Sequence, residues 1–408
     1  MQEIAEEAHR TGSEDDSPPI RAAAALGPTI RGYQDEIERE QRIPEALVEQ
    51  LREAGLYRMV VPRELGGSQV DPLTYLRAVE LAAESDGSVG WNLANNAIGQ
   101  LVALALSDEG VRDIYGRGPD VIMAGTVVPG GGRGVPTEGG FVVSGRWRFG
   151  SGCRESDWML GTFELVDGDR PRRNPDGTPV FMRGFFPAAD CSVIDSWDVT
   201  GLRGTGSHDW AVREVFVPQR RTVGFAGAPL ANQWSRWPGA LYALPVQAFI
   251  GPHHSVVATG IARAGIDALT ELAGRKIPRA RPGLLREQAQ VQEWVGRAEA
   301  LLAAGQAYRT AVITDVWETV VAGRPTSLEQ RARCRLAASY AVDSARQAMD
   351  LMYRAGGTTS VERGHRLARC WRDVNVVGQA ITVLPEWYPL TGRVFLGLDP
   401  GPRLSQRS

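Results

Sequence analysis

Residues 140–153 read GFVVSGRWRFGSGC, and the rest of the chain parses outward from them. β-Branched and aromatic residues dominate Phe141–Phe149, which is strand composition, and the run ends in Gly150-Ser151-Gly152. A strand closing on glycines and one serine lets a planar ligand approach the backbone, with Trp147 and Phe149 as aromatic walls. A strand core followed by a tight turn fits the same residues. Similar short runs recur at VIMAGTVVPGGG (121–132), WMLGTFEL (158–165), FMRGFFP (181–187) and WAVREVFVP (210–218). Strands separated by turn signals predict an antiparallel sandwich or barrel over 121–225, with Asp167–Gly177 as an exposed hairpin or loop.

On both sides the period changes to that of helices. In IPEALVEQLREAGLYRMVVP (43–62), Leu47, Leu51 and Ala54 share a helical face, Pro44 suits a first turn and Gly55 a stop. Pro72–Ser85 and Gly87–Ala105 continue the pattern. Beyond the β region, segments 247–274, 284–322, 327–355 and 366–391 read as an up-down bundle. The expected architecture is α+β in three parts: an N-terminal helical domain (21–120), a central antiparallel β-domain (121–225) and a C-terminal four-helix bundle (226–398). Residues 1–20, acidic and rich in Ser and Pro, are expected to be a disordered tail.

Composition excludes several function classes. The 408 residues are 43% hydrophobic and 23% charged with a net charge of -3, which rules out a fibrous or mainly disordered protein. With 45 basic against 48 acidic residues there is no surplus for a nucleic-acid binder. No apolar run approaches the roughly 18 residues of a membrane span, and the first residues lack the apolar core of a secretory signal, so the cytoplasm is the expected location. Four scattered cysteines give neither a disulfide framework nor zinc-ligand spacing. Five histidines limit acid–base chemistry, and Lys276 is the only lysine.

Two more motifs carry chemistry. Thr200-Gly-Leu-Arg-Gly-Thr-Gly-Ser-His-Asp209 is a turn-rich, anion-tolerant loop. Its Ser207-His208-Asp209 run imitates a triad, but adjacent residues on a strand point to opposite faces and cannot relay a proton, so a hydrolase is rejected. In Arg354-Ala-Gly-Gly-Thr-Thr-Ser360, followed by Arg369-Cys-Trp-Arg-Asp373, freed amides, hydroxyls and arginines could hold a diphosphate or flavin edge. A helix cap with a structural Arg–Asp pair reads equally well.

Taken in order, these motifs resemble the acyl-CoA dehydrogenase superfamily, and within it the oxygenase components of two-component flavin-dependent monooxygenases. The resemblance also draws on Pro62-Arg-Glu-Leu-Gly-Gly67, Gly87-Ser-Val-Gly-Trp91, Trp158, Phe216-Val-Pro218 and Gly392-Arg-Val-Phe-Leu-Gly-Leu398, and covers about 25–398. It implies a homotetramer that takes reduced flavin, FMNH2 or FADH2, from a separate flavin reductase. It also implies reaction with O2 through a C4a-hydroperoxide to hydroxylate a small aromatic or polyketide-type molecule, as in antibiotic biosynthesis. Trp147, Phe149 and Ser151 would face the flavin, with Ser151 beside N5 as the candidate catalytic contact. Gly356, Gly357, Thr358 and Arg372 would meet its phosphate or ribityl end.

Departures from the family pattern shape the rest. Dehydrogenases of the main branch carry a glutamate about eight residues past the Arg–Asp pair. That count reaches Ile381 here, which disfavours acyl-CoA dehydrogenation as the alternative. The histidines usual in phenol hydroxylases are absent from Asn95–Gln100, from Arg154-Glu155-Ser156 and from Asn375–Ala380. N-oxygenation of an amine, as in the amino-sugar nitrososynthases, is therefore a second alternative. Asn96, Gln100 and Gln379, with neighbouring Asn95 and Asn375, are candidate neutral substrate contacts. His253, beside His254, is the remaining protonatable one. Trp234 and Trp237 suit a pocket rim or a domain seam.

Overall fold

A computed structural model describes residues 17–168, 170–225, 236–279, 282–401 and 404. Most of the expected tail, and Trp234, lie outside the described residues. Six helices open the described chain: α1 (Pro18–Gly32), α2 (Gln34–Glu40), α3 (Glu45–Glu53), α4 (Pro72–Ser85), α5 (Gly87–Ala103) and α6 (Asp108–Tyr115). The first begins at Pro18, inside the expected tail, because proline at a helix start costs no hydrogen bond. Asp71 caps α4 by accepting from the Leu73 and Thr74 amides. Asp86 does the same for α5 through Ser88 and Val89.

Nine strands follow: β1 (Met123–Gly125), β2 (Gly132–Thr137), β3 (Gly140–Gly150), β4 (Trp158–Asp167), β5 (Arg170–Pro171), β6 (Phe181–Pro187), β7 (Ser192–Ile194), β8 (His208–Pro218) and β9 (Thr222–Phe225). They form one sheet in the order β7-β8-β3-β2-β4-β6-β9, with β1 and β5 on β4. The sheet is mixed rather than wholly antiparallel, since β1 and β2 both run parallel to β4. The chain leaves β3 through the turn at Ser151 and re-enters beyond β2, so that turn is a crossover rather than a hairpin. Side chains from β3, β4, β6 and β8 meet in a separate core around Trp147, Phe163, Phe186 and Trp210.

The C-terminal part holds α7 (Val246–Phe249), α8 (Pro252–Ala273), α9 (Ala289–Val321), α10 (Leu328–Gly356), α11 (Arg366–Val377) and α12 (Trp387–Phe395). The expected helix over 366–391 is thus two helices joined by a turn. Pro385 lies in that turn, and the residue before a proline is pushed out of helical geometry. One hydrophobic core runs continuously from the N-terminal helices into the bundle. Between them sits a buried ion pair: Arg309 of α9 donates to Glu80 of α4 at 3.0 Å. Gln306 also donates to Glu80, at 3.0 Å, and Thr259 of α8 completes the carboxylate's shell. Burial opposes the Glu80 charge, but Arg309 and these donors outweigh it and hold the carboxyl below its ordinary range. Among the described residues no helix is long and apolar enough to cross a membrane, and no acidic, Cys and His cluster could hold a metal.

Candidate active site

Three separate elements bring polar side chains to the turn that follows β3. Trp91, one turn into α5, donates its indole N–H to the Ser151 hydroxyl at 3.0 Å. Ser151 Oγ lies 2.7 Å from Ser207 Oγ, and Ser207 Oγ lies 2.7 Å from Thr205 Oγ1. Thr205 donates to the Leu202 carbonyl at 2.8 Å. The amide of Leu202 donates to Asp373 of α11 at 2.6 Å. The 200–207 loop lies so close to α11 that a Cβ on Gly201 would stand 2.6 Å from the Arg372 carbonyl. Only glycine fits there.

On its other side Trp91 stacks on His254, with ring centroids 4.3 Å apart. His254 Nδ1 meets Thr382 Oγ1 at 2.6 Å, and His253 packs edge-on at 4.0 Å. Both imidazoles are buried, and among the described residues His254 Nε2 has no hydrogen-bond partner. Burial, followed by the neighbouring Arg335 cation, pushes His254 down to about 3. His253 falls well below its ordinary value through burial, His254 and Arg335. Both rings are therefore neutral near pH 7.

The residues expected at the cofactor divide. Ser151 sits in this cluster. Phe149 is 55% exposed, has φ 63°, and meets Trp197 edge-on and the Arg148 guanidinium. Trp147 is buried in the β core, stacked on Trp210 and donating to the Thr162 carbonyl at 2.8 Å, so it presents no face to a ligand. Arg372 is committed elsewhere as well. It donates to the Thr200 carbonyl at 2.8 Å and to Glu38 at 2.9 Å, tying α11 to the loop and to α2. Gly356 accepts from Lys276 Nζ at 2.6 Å through its carbonyl, as a helix end does from a cation. Gly357 and Thr358 are exposed beside it. Among the described residues no hydrogen bond or ring contact links Gly356–Thr358 to the Ser151 cluster.

The expected substrate contacts divide too. Asn96 donates to the Tyr57 carbonyl and accepts from the Met123 amide. Gln100 donates to the Tyr57 and Val121 carbonyls. Both amides hold the Tyr57 and 121–123 segments against α5. Gln379 is exposed at the end of α11, away from solvent-excluded contacts. His253 alone of the four lies with the cluster. Trp237 donates to the Leu104 carbonyl and forms a domain seam. The false triad is resolved as well: His208 Nδ1 accepts two backbone amides while Asp209 pairs with Arg146.

Sequence reasoning missed Trp91, Ser207 and Thr205 as site residues. The signal available was that Trp91 and Ser207 lie within stretches already marked as motifs. Glu155 was also missed. It is buried beside Arg42, 3.1 Å away, and burial lifts its carboxyl to about 7.

A flavin fits this arrangement by its chemistry. Phe149 presents an exposed phenyl ring two residues before the buried Ser151 hydroxyl, and among the described residues His254 Nε2, on the ring stacked against Trp91, is buried without a hydrogen-bond partner. The comparisons with known proteins agree. Residues 20–113 match the acyl-CoA dehydrogenase N-terminal domain and residues 253–383 the C-terminal domain. The chain is 30% identical over 391 residues to the indole-3-acetate monooxygenase of Pseudomonas putida, covering 93% of this chain and 96% of that protein. The chain belongs to the acyl-CoA dehydrogenase family, in its flavin-dependent monooxygenase branch. It is 29% identical to a flavin-dependent monooxygenase oxygenase subunit, HsaA, of Rhodococcus jostii, covering 86% of this chain and 91% of that one. The crystal structure of a 3-HSA hydroxylase from Rhodococcus sp. RHA1 superposes with a TM-score of 0.86 at 28% identity, over 95% of this chain and 98% of that one. This flavin-dependent monooxygenase therefore has relatives named for aromatic substrates and shares their fold.

Proposed function

We propose that this monooxygenase is an oxygenase component that accepts FMNH2 or FADH2 from a separate reductase and, with O2, hydroxylates a neutral aromatic substrate bearing an O–H or N–H group. The observation that carries the reading is the stack of Trp91 between Ser151 and the neutral His254. The reduced flavin, when bound, supplies the electrons that activate O2. Phe149 would cover one face of its ring and Ser151 would contact N5. His254 Nε2 and His253 would accept the substrate's N–H or O–H. Two uncharged imidazoles beside the Arg335 cation disfavour an ammonium ligand, which argues against N-oxygenation of a protonated amine. They are also poor bases at neutral pH, and Ile381 occupies the position of the dehydrogenase glutamate, which argues against α-proton abstraction.

Rapid mixing tests the reading. Protein premixed with FMNH2 or FADH2 is mixed with O2, and the return of oxidised-flavin absorbance is followed. A return delayed at least tenfold relative to free flavin, and accelerated by a phenol or indole, is expected. Return at the free-flavin rate with every aromatic tested, together with anaerobic bleaching of bound FAD by an acyl-CoA, would replace it with the dehydrogenase reading. We further propose a homotetramer, supported by exposed Ile381, Phe395 and Leu396 around α12. Sedimentation at the monomer mass would refute that.

A further inference from the structure

The loop at residues 200–207 is strapped to α11 at one end and to the turn after β3 at the other. Gly201 lies against the Arg372 carbonyl, Arg372 donates to the Thr200 carbonyl, and Asp373 accepts the Leu202 amide at 2.6 Å. Trp197 Nε1 donates to the Leu202 carbonyl at 3.2 Å. Leu202 has φ 50°, a left-handed conformation that a leucine keeps only when its surroundings hold it there. At the far end the Thr205 carbonyl accepts the Gly152 amide at 2.8 Å. The strap therefore hangs on Asp373, and the surroundings of Asp373 oppose a charge. Asp373 and Asp86, the cap of α5, are both buried and line one small cavity with Arg366, Arg369, Ile261 and Ala264.

The cations around this pair are committed to other groups. Arg369 donates to Asp35 at 2.7 Å, Arg372 to Glu38 at 2.9 Å, and Arg203 of the loop stands 3.8 Å from Glu38. Arg366 donates to the Glu84 carbonyl at 3.4 Å. Glu84 lines the cavity from the end of α4, and α8 contributes the uncharged Ile261 and Ala264. The Cys370 thiol, which burial pushes up to about 12, stays neutral. Burial acts first on Asp373, and the charges of Asp86 and Glu38 add to it. Together they outweigh the Leu202 amide and Arg372 and lift the carboxyl to about 7. Burial likewise lifts Asp86 to about 6, against Arg369 and its two capping amides.

We infer that Asp86 and Asp373 make the 200–207 loop a pH-sensitive latch, closed while one of the two carboxyls holds a proton and loosened once both are charged. The sign follows from where the proton binds. When the loop lifts, Asp373 meets water and returns toward its ordinary value of about 3.9, so the open form binds fewer protons than the closed one. Raising the pH therefore favours opening. The latch acts on the loop itself and needs no ligand.

Hydrogen exchange of the full chain tests the latch, read by mass spectrometry on peptides covering 198–207 between about pH 5.5 and 7.5 and corrected for the base catalysis of exchange itself. In wild type the loop's protection should fall about tenfold over that range, as a carboxyl near 7 in the closed form drops most of the way to about 3.9 in the open one. Amides of α10 should keep their protection. Asp373→Asn retains an acceptor for Leu202 but cannot charge, so its loop protection should stay within about twofold across the range. Asp86→Asn still caps α5 and leaves Asp373 to titrate with one like charge fewer, so the fall should move to lower pH. The latch is overturned by loop protection that is flat in wild type, that falls in step with α10, or that falls equally in Asp373→Asn. An Asp86→Asn profile superposing on that of wild type overturns it as well.

Discussion

His254 is a titratable group whose environment forbids its charge. In the unfolded chain its ring binds a proton below about pH 6.5, but in the fold it stays neutral down to about 3. The unfolded state therefore takes up protons that the native state refuses, and stability falls as pH drops below 6.5. Between pH 7.5 and 5.5 this group should lose about 1.4 kcal/mol, seen as the difference between wild type and His254→Gln in urea titrations. A pH-independent difference would mean the ring titrates in the fold as it does in the unfolded chain. Asp373 runs the other way. Burial, opposed chiefly by its bond from the Leu202 amide, lifts it to about 7, so its contribution is full at low pH and fades as pH rises from about 4 through 7. Asp373→Asn keeps an acceptor for Leu202. Asp373→Ala leaves a buried N–H unpaired and should cost about 1–3 kcal/mol more than the asparagine variant.

At the scale of elements, the strand at residues 140–150 was legible but the direction of its aromatics was not. Trp147 and Phe149 have the same parity and by alternation belong on one face. A break in the β3–β8 register between Trp147 and Gly150, with Phe149 in a left-handed conformation, puts Trp147 in the core and Phe149 in solvent. Strand period alone carries no sign of such a bulge. Asn96 and Gln100 show a related effect. Polar residues four apart on α5 look like site residues until the Tyr57 carbonyl takes both. The helix order was legible because long amphipathic segments bury a stripe whatever they pack against. At the end of α10 the cap depends on two devices, the Lys276 ammonium on the Gly356 carbonyl and Gly357 at φ 58°, ψ −136°. Lys276→Met should lower stability by about 1 kcal/mol, the scale of a cation at a helix C-terminus, measured by thermal melting. An unchanged melting temperature would show that Gly357 alone sets the cap.

Across the whole molecule, Glu80 and Arg309 join the N-terminal helices to the bundle with both side chains nearly dry. Such a pair costs desolvation of two ions, so its removal and its breakage have different consequences. Glu80→Leu or Arg309→Leu alone strands a buried charge and should destabilise by about 3–5 kcal/mol. The double variant should recover most of that loss in chemical denaturation. Additive losses would instead show that each ion depends on its other partners, Gln306 and Thr259 for Glu80 among them. The three-part order of helices, sheet and bundle could be read from period and turn chemistry. Where the parts touch could not, because buried Glu80 and Asp373 and half-buried Glu38 meet partners more than a hundred residues away.

The solitary lysine has a practical corollary. A lysine-specific endoprotease has one cutting point in this sequence, between Lys276 and Ile277, and it divides α8 from α9, α10, α11 and α12. In the fold the half-buried Lys276 ammonium is held by the Gly356 carbonyl and Thr359 Oγ1, bonds it must leave before an enzyme can grip it. Cleavage into two fragments therefore times the release of α8 from the end of α10, a clock for bundle opening that needs no dye, label or engineered residue.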